Sequence, residues 1–364
     1  MSERLDQARA FLNGAGWRGA AVTPLPGDAS TRRYARVEKD GRNAMLMDQP
    51  QHAEQPTAPA DATPDERRAL GYNAVARLAG ADVGRFVAVA NHLRGLGLSA
   101  PEVYAADPSA GFALIEDLGD GLYADVIGRS ADERTLYRAA AEALAALHAS
   151  PAPGLLPPDK PLHAYDETAL EAEIDLMTEW YLPHALGRAA TADEVAEHRA
   201  LWRAAIAGAR EAAPLFVHRD YHAQNLIWLP ERTGAARVGL IDFQDAVAGT
   251  RAYDLVSLVE DARRDVPAAI ADDTTAHYLA ATGADREALR AQMAVMAAQR
   301  NAKIAGIFAR LNKRDGKPRY LSYLPRVWGY LNRDLEHPAL AQLKSWYDGT
   351  IPRDVRGTSE GVST

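Results

Sequence analysis

An acidic residue and an amide residue lie five positions apart, in a polar segment between the apolar runs LFV and LIWL. Asp220 could align a hydroxyl group and accept its proton, and the side-chain oxygen of Asn225 could bind a cation that neutralises phosphate charge. Phosphoryl transfer needs both functions. The simpler alternative is that both side chains only satisfy the backbone of their own loop.

A second acidic residue, Asp242, directly follows an apolar run in the block Gly-Leu-Ile-Asp-Phe-Gln. Mg²⁺ prefers oxygen ligands and keeps several waters, so Asp242, Asn225 and nucleotide phosphates would together suffice to bind it. A lone Asp at the end of a strand more often caps a turn. In combination with Asp220 and Asn225, however, Asp242 favours a site for phosphoryl transfer.

The segment from His218 to Asn225 also matches the kinase catalytic-loop pattern H-R-D-x-x-x-x-N at every fixed position. Together with LIDFQDAV and Tyr253-Asp254-Leu255, it resembles the aminoglycoside phosphotransferase family. Protein kinases differ, because they have Gly where this chain has Gln244 and carry a long activation segment that ends in Ala-Pro-Glu, and no such segment follows Gln244 here. The resemblance implies an α+β, bilobal, protein-kinase-like fold with a small β-rich N-terminal lobe and a larger helical C-terminal lobe.

The same resemblance implies functions for individual residues. Asp220 would be the catalytic base, and Asn225 and Asp242 would bind Mg²⁺ beside ATP. His218 would support the catalytic loop, and Asp254 would be a buried residue that anchors a helix.

A narrower resemblance extends over most of the chain. The blocks that carry it are GDASTRRYARV, LMDQP, FVAVANHLRGLGLSAPEVYA, LIEDLGD, EWYLP, FQDAVAGTRAYDLVSLVEDARRDVP and PRVWGYLNRDLEHP. They are similar to bacterial anomeric sugar kinases, which phosphorylate the anomeric hydroxyl of N-acetylmuramate and N-acetylglucosamine during peptidoglycan recycling. The resemblance therefore implies an amino-sugar kinase, although residues 50–68 depart from that group.

Two other functions stay open at this point. A kinase of the same fold that acts on an aminoglycoside, choline or homoserine would carry the same catalytic residues. A catalytically inactive pseudokinase that serves as a binding module is the second alternative, because the phosphate-binding Lys of the second strand and its helix Glu are both missing. The intact Asp220, Asn225 and Asp242 argue against it.

Candidates for nucleotide binding lie at two places before residue 119. They are Ser30, Thr31, Arg32, Arg33, Glu116 and Leu118. The first two can present donors to phosphate oxygens, and either arginine could replace the missing Lys. Neighbouring strand residues point to opposite faces, so only one arginine should face the nucleotide. The last two would form a hinge whose backbone pairs with adenine. An ordinary strand-entry loop and a buried edge strand are the alternatives.

Candidates for sugar binding combine amides, a carboxylate, a cation and residues of the catalytic loop. They are His222, Gln224, Glu173, Arg300 and Asn301. The first two already belong to the loop that carries Asp220. The other three lie on predicted helices, where exposed charges are usually only solvated.

The elements that must position these residues can be predicted from turn and cap signals. RRYARVE and NAMLMDQ, joined by an Asp-Gly pair at 40–41, predict a hairpin. FVAVANHLRGLGL predicts a helix, and APEVYAAD and GFALIEDLG predict two more strands. Ser130 with Glu133 and Thr191 with Glu194 fit capping boxes before two further helices.

These elements predict a nucleotide-binding N-terminal lobe at residues 1–118, with a mobile insertion at about 50–68. A catalytic and substrate lobe would occupy residues 119–352, and residues 353–364 would form a flexible tail.

Composition excludes several classes of function. The net charge is −8, which gives no support to a nucleic-acid partner. The absence of cysteine excludes disulfides and thiolate metal sites. The N-terminus has no apolar signal region, and no stretch approaches the length of a membrane span. A cytoplasmic protein with a small-molecule substrate, and without a membrane or obligate protein partner, is expected.

Overall fold

The structure is a computed structural model that describes residues 2–26, 31–50, 57–59, 61–78 and 80–359. The chain groups into two compact units. The first unit comprises Met1–Ala149, Pro153–His163 and Ala223–Ala246, and the second comprises Ser150–Ala152, Ala164–His222 and Val247–Thr364. The sequence predicted a single boundary after residue 118, and this grouping differs from it.

An antiparallel sheet carries the early part of the first unit. Its described strands are β1 (Ala21–Pro24), β2 (Arg33–Lys39), β3 (Arg42–Asp48), β4 (Val103–Asp107) and β5 (Phe112–Ile115). Their order across the sheet is β1-β2-β3-β5-β4. β2 and β3 form the predicted hairpin, whose turn places Asp40 at φ 51° and Gly41 at φ 71°. Asp and Gly tolerate this left-handed backbone, so the hairpin prediction is confirmed.

Helix α1 (Ser2–Gly14) packs on this sheet, although the sequence analysis predicted neither α1 nor β1. Arg4 of α1 forms a 2.5 Å ion pair with Asp48 of β3 and lies 3.8 Å above the ring of Phe112. The apolar core between helix and sheet contains Leu12, Trp17, Val37, Ala44, Leu46, Phe112 and Leu114. These contacts join residues that are far apart in sequence, which explains why local patterns did not reveal them.

The rest of the first unit is mostly helical. Its described elements are α2 (Pro64–Leu70), a π turn (Asn73–Arg77), α3 (Val83–Gly95), α4 (Tyr123–Val126), α5 (Glu133–Leu147), β6 (Leu155–Leu156), β7 (Lys160–Pro161), β9 (Leu226–Trp228), a 3-10 turn (Gly234–Arg237) and β10 (Val238–Leu240). β9 pairs with β10, and isolated bridges join Leu122 to Ile227 and Ser99 to Gly239. These bridges hold residues 223–246 in the first unit.

Helix α2 lies partly inside the stretch that was predicted to be a mobile insertion. Its first turn is closed by a capping box, in which Thr63 N donates to Glu66 Oε2 at 2.8 Å and Glu66 N donates to Thr63 Oγ1 at 3.3 Å. The stretch at about 50–68, which was predicted to be a mobile insertion, is therefore helical from Pro64 onward. Residues 51–56 and 60 lie outside the described residues.

Helix α5 begins two residues later than its predicted cap. The carboxylate of Asp132 accepts the backbone N–H of Thr135 at 2.9 Å, and this makes Asp132 the N-cap. Ser130 instead belongs to the preceding turn, where its N–H donates to Val126 O at 3.1 Å. The predicted capping box at Ser130 is therefore wrong.

Helices dominate the second unit. The described elements are α6 (Glu167–Leu176), a π turn (Met177–Tyr181), α7 (Leu182–Leu186), α8 (Ala192–Gly208), β8 (Leu215–Val217), β11 (Val247–Gly249), α9 (Ala252–Val259), α10 (Ala268–Thr282), α11 (Arg286–Asp315), α12 (Leu324–Asp334), α13 (Ala341–Thr350) and 3-10 turns at Pro318–Tyr323, Pro338–Leu340 and Arg353–Val355. β8 pairs with β11 in antiparallel register. The predicted capping box of Thr191 and Glu194 opens α8 and is confirmed.

The 30-residue helix α11 runs through the core of this unit. It approaches α6 so closely that a Cβ added to Gly306 would lie 2.4 Å from the carbonyl carbon of Leu176. Real Cβ atoms do not approach backbone this closely, so glycine is required at the crossing. Within the described residues, no helix is long and apolar enough to span a membrane.

The predicted flexible tail, residues 353–364, is described by the structure only as far as residue 359, and residues 360–364 lie outside the described residues. Arg353–Val355 forms a 3-10 turn, and Arg356 donates to Tyr347 O at 2.7 Å. The N–H of Gly357 then donates to the hydroxyl of Tyr181 at 2.9 Å. These bonds fix residues 353–357 on the second unit.

Candidate active site

The first five residues of the catalytic-loop motif, 218–222, follow β8 in the second unit and include a strained backbone position. Arg219 has a φ of 77°, a left-handed conformation that is costly for a residue with a Cβ. Asp254 of α9 stabilises it, because its carboxylate accepts the N–H groups of His218 at 2.6 Å and Arg219 at 2.9 Å. Burial raises the pKa of Asp254 to about 7, although the two donors act to lower it.

A buried carboxylate binds the side chain of Arg219. Its Nη2 donates to Glu173 Oε1 at 2.6 Å, and its guanidinium lies 4.8 Å from the ring centroid of Tyr165. Glu173 is 1% exposed and also accepts from Gln299 at 3.0 Å and Lys303 at 3.3 Å. Glu173, which was predicted to bind the sugar, is therefore buried and contacts the catalytic loop through Arg219.

Asp220 is half-buried in the same loop. Burial alone would raise its pKa, but the neighbouring His222, Lys303 and Arg219 outweigh this effect and lower the pKa below its usual value. Asp220 is consequently ionised at neutral pH and can accept a proton. His222 is buried, and burial lowers the pKa of its imidazole.

The remaining sugar-binding candidates divide into one exposed and two buried residues. Gln224 is exposed in the catalytic-loop motif. Arg300 and Asn301 are 5% and 0% exposed. Arg300 donates to Glu260 O at 3.1 Å, and Asn301 donates to the carboxylates of Glu260 at 2.8 Å and Asp334 at 3.1 Å. These two side chains are thus used in internal bonds of the second unit.

In the first unit, Asp242 follows β10 and has a left-handed φ of 61°. Its Oδ1 accepts from Arg32 Nη1 at 3.0 Å and from Gln244 Nε2 at 3.0 Å, while 43% of its side chain stays exposed. Asn225 lies beside it, because Ile241 N donates to Asn225 O at 3.2 Å. The two predicted metal ligands therefore share one site in this unit.

Arg32 is the arginine that reaches Asp242, whereas Arg33 is exposed on β2. Arg32 is 7% exposed, and its Nη1 also donates to Gln244 Oε1 at 2.7 Å and to Tyr34 OH at 3.2 Å. Of the two arginines, Arg32 is the one that contacts Asp242; it directly precedes β2, and which arginine faces a nucleotide stays a prediction.

A residue that the sequence analysis missed fixes the loop after Asp242. Arg85 of α3 is 4% exposed and donates to Gln244 O at 3.0 Å and Ala246 O at 2.6 Å. Beside it, the ring of Phe86 stacks on the ring of Phe243 with centroids 4.8 Å apart. Helix α3 lacks the Glu that protein kinases place there, and its Arg85 instead binds backbone carbonyls of this loop.

A cavity of about 460 Å³ opens beside these residues, entirely within the first unit. Arg32, Asn225 and Asp242 form a polar end, and the predicted hinge residues Glu116 and Leu118 also line it. Apolar side chains cover other parts of its wall, namely Met45, Phe86, Ile115, Leu122, Ile227, Ile241 and Phe243. Such a cavity can accept a flat aromatic ring at its apolar part and an anion near Arg32.

The cavity also has a cluster of three charged side chains near the hinge that was not predicted. Arg36 of β2 contacts Asp117 at 2.6 Å and Asp120 at 2.7 Å. The carboxylate of Glu116 forms an ion pair with Arg232 at 2.6 Å. The backbone N–H of Glu116 donates to Glu102 O at 2.8 Å. The side chain of Glu116 is thus committed to a protein contact.

The other nucleotide candidates precede β2. Thr31 is half-buried, and its hydroxyl accepts from Gln49 Nε2 at 3.4 Å. Ser30 lies outside the described residues. Across the described part of the chain, no group of three or more His, Asp and Glu side chains could hold a metal ion. A cation at Asn225 and Asp242 would therefore need further oxygen ligands from a bound molecule and water.

Comparisons with known proteins agree on one family. The chain matches the family model "Phosphotransferase enzyme family" over residues 21–291. It is 47% identical over 359 residues to the N-acetylmuramate/N-acetylglucosamine kinase of Caulobacter vibrioides, covering 98% of this chain and 99% of that relative. The kinase of the same name from Pseudomonas aeruginosa is 34% identical over 334 residues, covering 89% of this chain and 87% of the relative.

A solved structure shows the same fold. It is a choline/ethanolamine kinase family protein from Mesorhizobium loti, with a TM-score of 0.56 and 17% sequence identity. The match covers 94% of this chain and 98% of that protein. The predicted protein-kinase-like fold, with an antiparallel sheet in one unit and mainly helices in the other, is thereby confirmed.

Proposed function

The chain belongs to the phosphotransferase enzyme family, and we propose that it transfers the γ-phosphoryl group of ATP to the anomeric hydroxyl of N-acetylmuramate and N-acetylglucosamine. The observation that carries this proposal is the 47% identity to a kinase named for these two sugars, over 98% of the chain. Sugars of this kind are released from peptidoglycan, so the reaction would serve its recycling in the cytoplasm.

ATP would bind in the 460 Å³ cavity of the first unit. Its adenine fits the apolar part of the wall, with the backbone of Glu116 and Leu118 as hydrogen-bonding partner. The phosphates would lie toward Arg32, which would replace the Lys that protein kinases place on the second strand. Thr31 and Ser30 would add donors from the segment before β2. Arg33 is exposed and would not take part.

Mg²⁺ fits the pair of Asn225 and Asp242. An amide oxygen and a carboxylate are suitable ligands, and the half-exposed Asp242 keeps acceptor capacity beyond its bonds to Arg32 and Gln244. When bound, the ion would neutralise phosphate charge. The chain's own contribution is to keep Asp242 in place, through the left-handed backbone at this residue and through the contacts of Arg85.

Asp220 would align the anomeric hydroxyl and accept its proton as the oxygen attacks. Its lowered pKa supports this role, because the carboxylate is ionised at neutral pH. Asp254 and Glu173 would position the loop, the first through backbone N–H groups and the second through Arg219.

Sugar contacts are assigned first to the catalytic-loop residues Gln224, which is exposed, and His222, which is buried but lies two residues from Asp220. Arg300 and Asn301 were candidates for direct contact, but their burial and internal bonds favour a supporting role. A kinase for choline, an aminoglycoside or homoserine stays the second candidate on the ground of fold alone.

An ATP-consumption screen tests the proposal. The purified chain would be offered N-acetylmuramate, N-acetylglucosamine, choline, homoserine and an aminoglycoside, each with and without Mg²⁺. Turnover is expected with the two amino sugars and only in the presence of Mg²⁺. Turnover confined to one of the other acceptors would overturn the assignment. No turnover with any acceptor would favour a binding module.

A further inference from the structure

Arg263 lies on the loop after α9, and its guanidinium reaches the catalytic loop. Its Nη1 lies 3.2 Å from His222 Nε2, and His222 is two residues beyond Asp220. Arginine stays protonated, so it donates this bond and the imidazole nitrogen accepts it. The lowered pKa of His222 agrees with a neutral imidazole. A permanent positive charge is therefore held next to the loop that carries Asp220.

The backbone around Arg263 is fixed on both sides. Its own N–H donates to the carboxylate of the buried Asp261 at 2.8 Å. Arg326 of α12 donates to Ala262 O at 3.1 Å and forms an ion pair with Asp265 at 2.5 Å. The cation is thus presented from an ordered loop, which lowers the entropy that must be lost when a ligand binds.

The guanidinium of Arg263 differs from those of Arg219 in the catalytic loop and Arg326 of α12. Arg219 and Arg326 each contact a carboxylate within 2.6 Å. Among the described residues, Arg263 has no carboxylate partner within 4.0 Å, and its side chain is exposed. Only one of its donors is used by His222, so the others remain available to a carboxylate, a group that arginine binds in a planar, bidentate manner.

We propose that Arg263 binds the lactyl carboxylate of N-acetylmuramate and thereby determines how well the enzyme uses this sugar. The inference rests on the proposed function. The two sugars differ by the lactyl ether of N-acetylmuramate, which carries the only charge in either molecule. A cation next to the catalytic loop therefore distinguishes the acidic sugar from the neutral one, whereas His222 and Gln224 would contact groups that both sugars share.

Kinetics on Arg263→Gln test the proposal, with both sugars as acceptors at saturating ATP. Loss of a charge-assisted bond should lower kcat/KM for N-acetylmuramate about 10- to 100-fold, mainly through KM. The value for N-acetylglucosamine should stay within about two-fold. Arg263→Lys should recover part of the loss, because it keeps the charge without the planar fork. Arg286→Gln is the matched control, since it removes an exposed arginine of the same unit at the start of α11.

A neutral lactamide derivative of N-acetylmuramate completes the test. Wild-type enzyme should use the lactamide about as poorly as Arg263→Gln uses the acid, and the variant should treat acid and lactamide alike. An equal loss on both sugars would mean that Arg263 acts on the transferred phosphoryl group, which would overturn the proposal. Unchanged kinetics on both sugars would overturn it as well. If wild-type enzyme phosphorylated neither sugar, the proposed function itself would be refuted. Thermal unfolding midpoints of all variants establish that they fold.

Discussion

Replacing Arg32 by alanine removes the buried cation at the polar end of the first-unit cavity. Arg32 is 7% exposed, and its Nη1 reaches Asp242 at 3.0 Å, Gln244 at 2.7 Å and Tyr34 at 3.2 Å. If this guanidinium also holds the phosphates of ATP, the variant loses at least one charge-assisted hydrogen bond. Such a loss costs about 1.5–3 kcal/mol. It corresponds to about a 10- to 150-fold decrease in kcat/KM for ATP.

The assay is steady-state kinetics with varied ATP and saturating sugar, together with direct binding of ATP in the presence of Mg²⁺. Arg33→Ala is the matched control, because Arg33 is the next residue and is exposed on β2. It should behave like wild type. Arg32→Lys should restore only part of the affinity, since a bidentate contact needs the planar fork of arginine.

Wild-type ATP parameters in a normally folded Arg32→Ala variant would contradict a phosphate-binding role for Arg32. Backbone N–H groups and Mg²⁺ would then hold the phosphates without an arginine. A larger effect in Arg33→Ala than in Arg32→Ala would contradict the placement of the two side chains.

Three further predictions concern the catalytic carboxylates, their anchor and the packing of the second unit. Asp220→Asn should lower kcat strongly with little change in ATP affinity, whereas Asp242→Ala should abolish Mg²⁺-dependent ATP binding; near-normal turnover of both variants would contradict the site. Asp254 has a pKa raised from 3.8 to about 7, so its contribution to stability is greatest at low pH and falls as pH rises toward 7. Asp254→Asn should remove this dependence, measured as the difference in unfolding free energy between pH 5 and 7.5, and an unchanged pH profile would argue against it. Gly306→Ala should lower the free energy of unfolding in urea by about 1–3 kcal/mol, because the new methyl group meets α6.

Features that depend on local spacing were accessible from the sequence. The turn at Asp40 and the cap at Thr191 each require particular residues within four positions, and both are found as predicted. Asn225 and Asp242 also lie close together for a simple reason. Asn225 directly precedes β9, Asp242 lies two residues after β10, and these two strands pair with each other. Such features can be predicted because the residues that determine them lie in one element or in two strands that are close in the chain.

Features that depend on distant partners were not accessible. Nothing near Arg85 in sequence indicates that it bonds to the carbonyls of Gln244 and Ala246, more than 150 positions away. Glu173 was expected in the sugar site because it is a carboxylate on a helix. Its partner Arg219 lies 46 positions further on, and burial turned the residue into a support for the loop. Tertiary packing decides whether a charged residue is exposed, and it leaves no local pattern.

We infer that phosphate is transferred to the anomeric oxygen. Phosphorus NMR of the purified product, combined with a reducing-end assay, checks this claim. A phosphate on the anomeric oxygen prevents ring opening, so the product should be non-reducing and its phosphorus should couple to the anomeric proton. A phosphorylated sugar that stays reducing, as a 6-phosphate would, contradicts the claim.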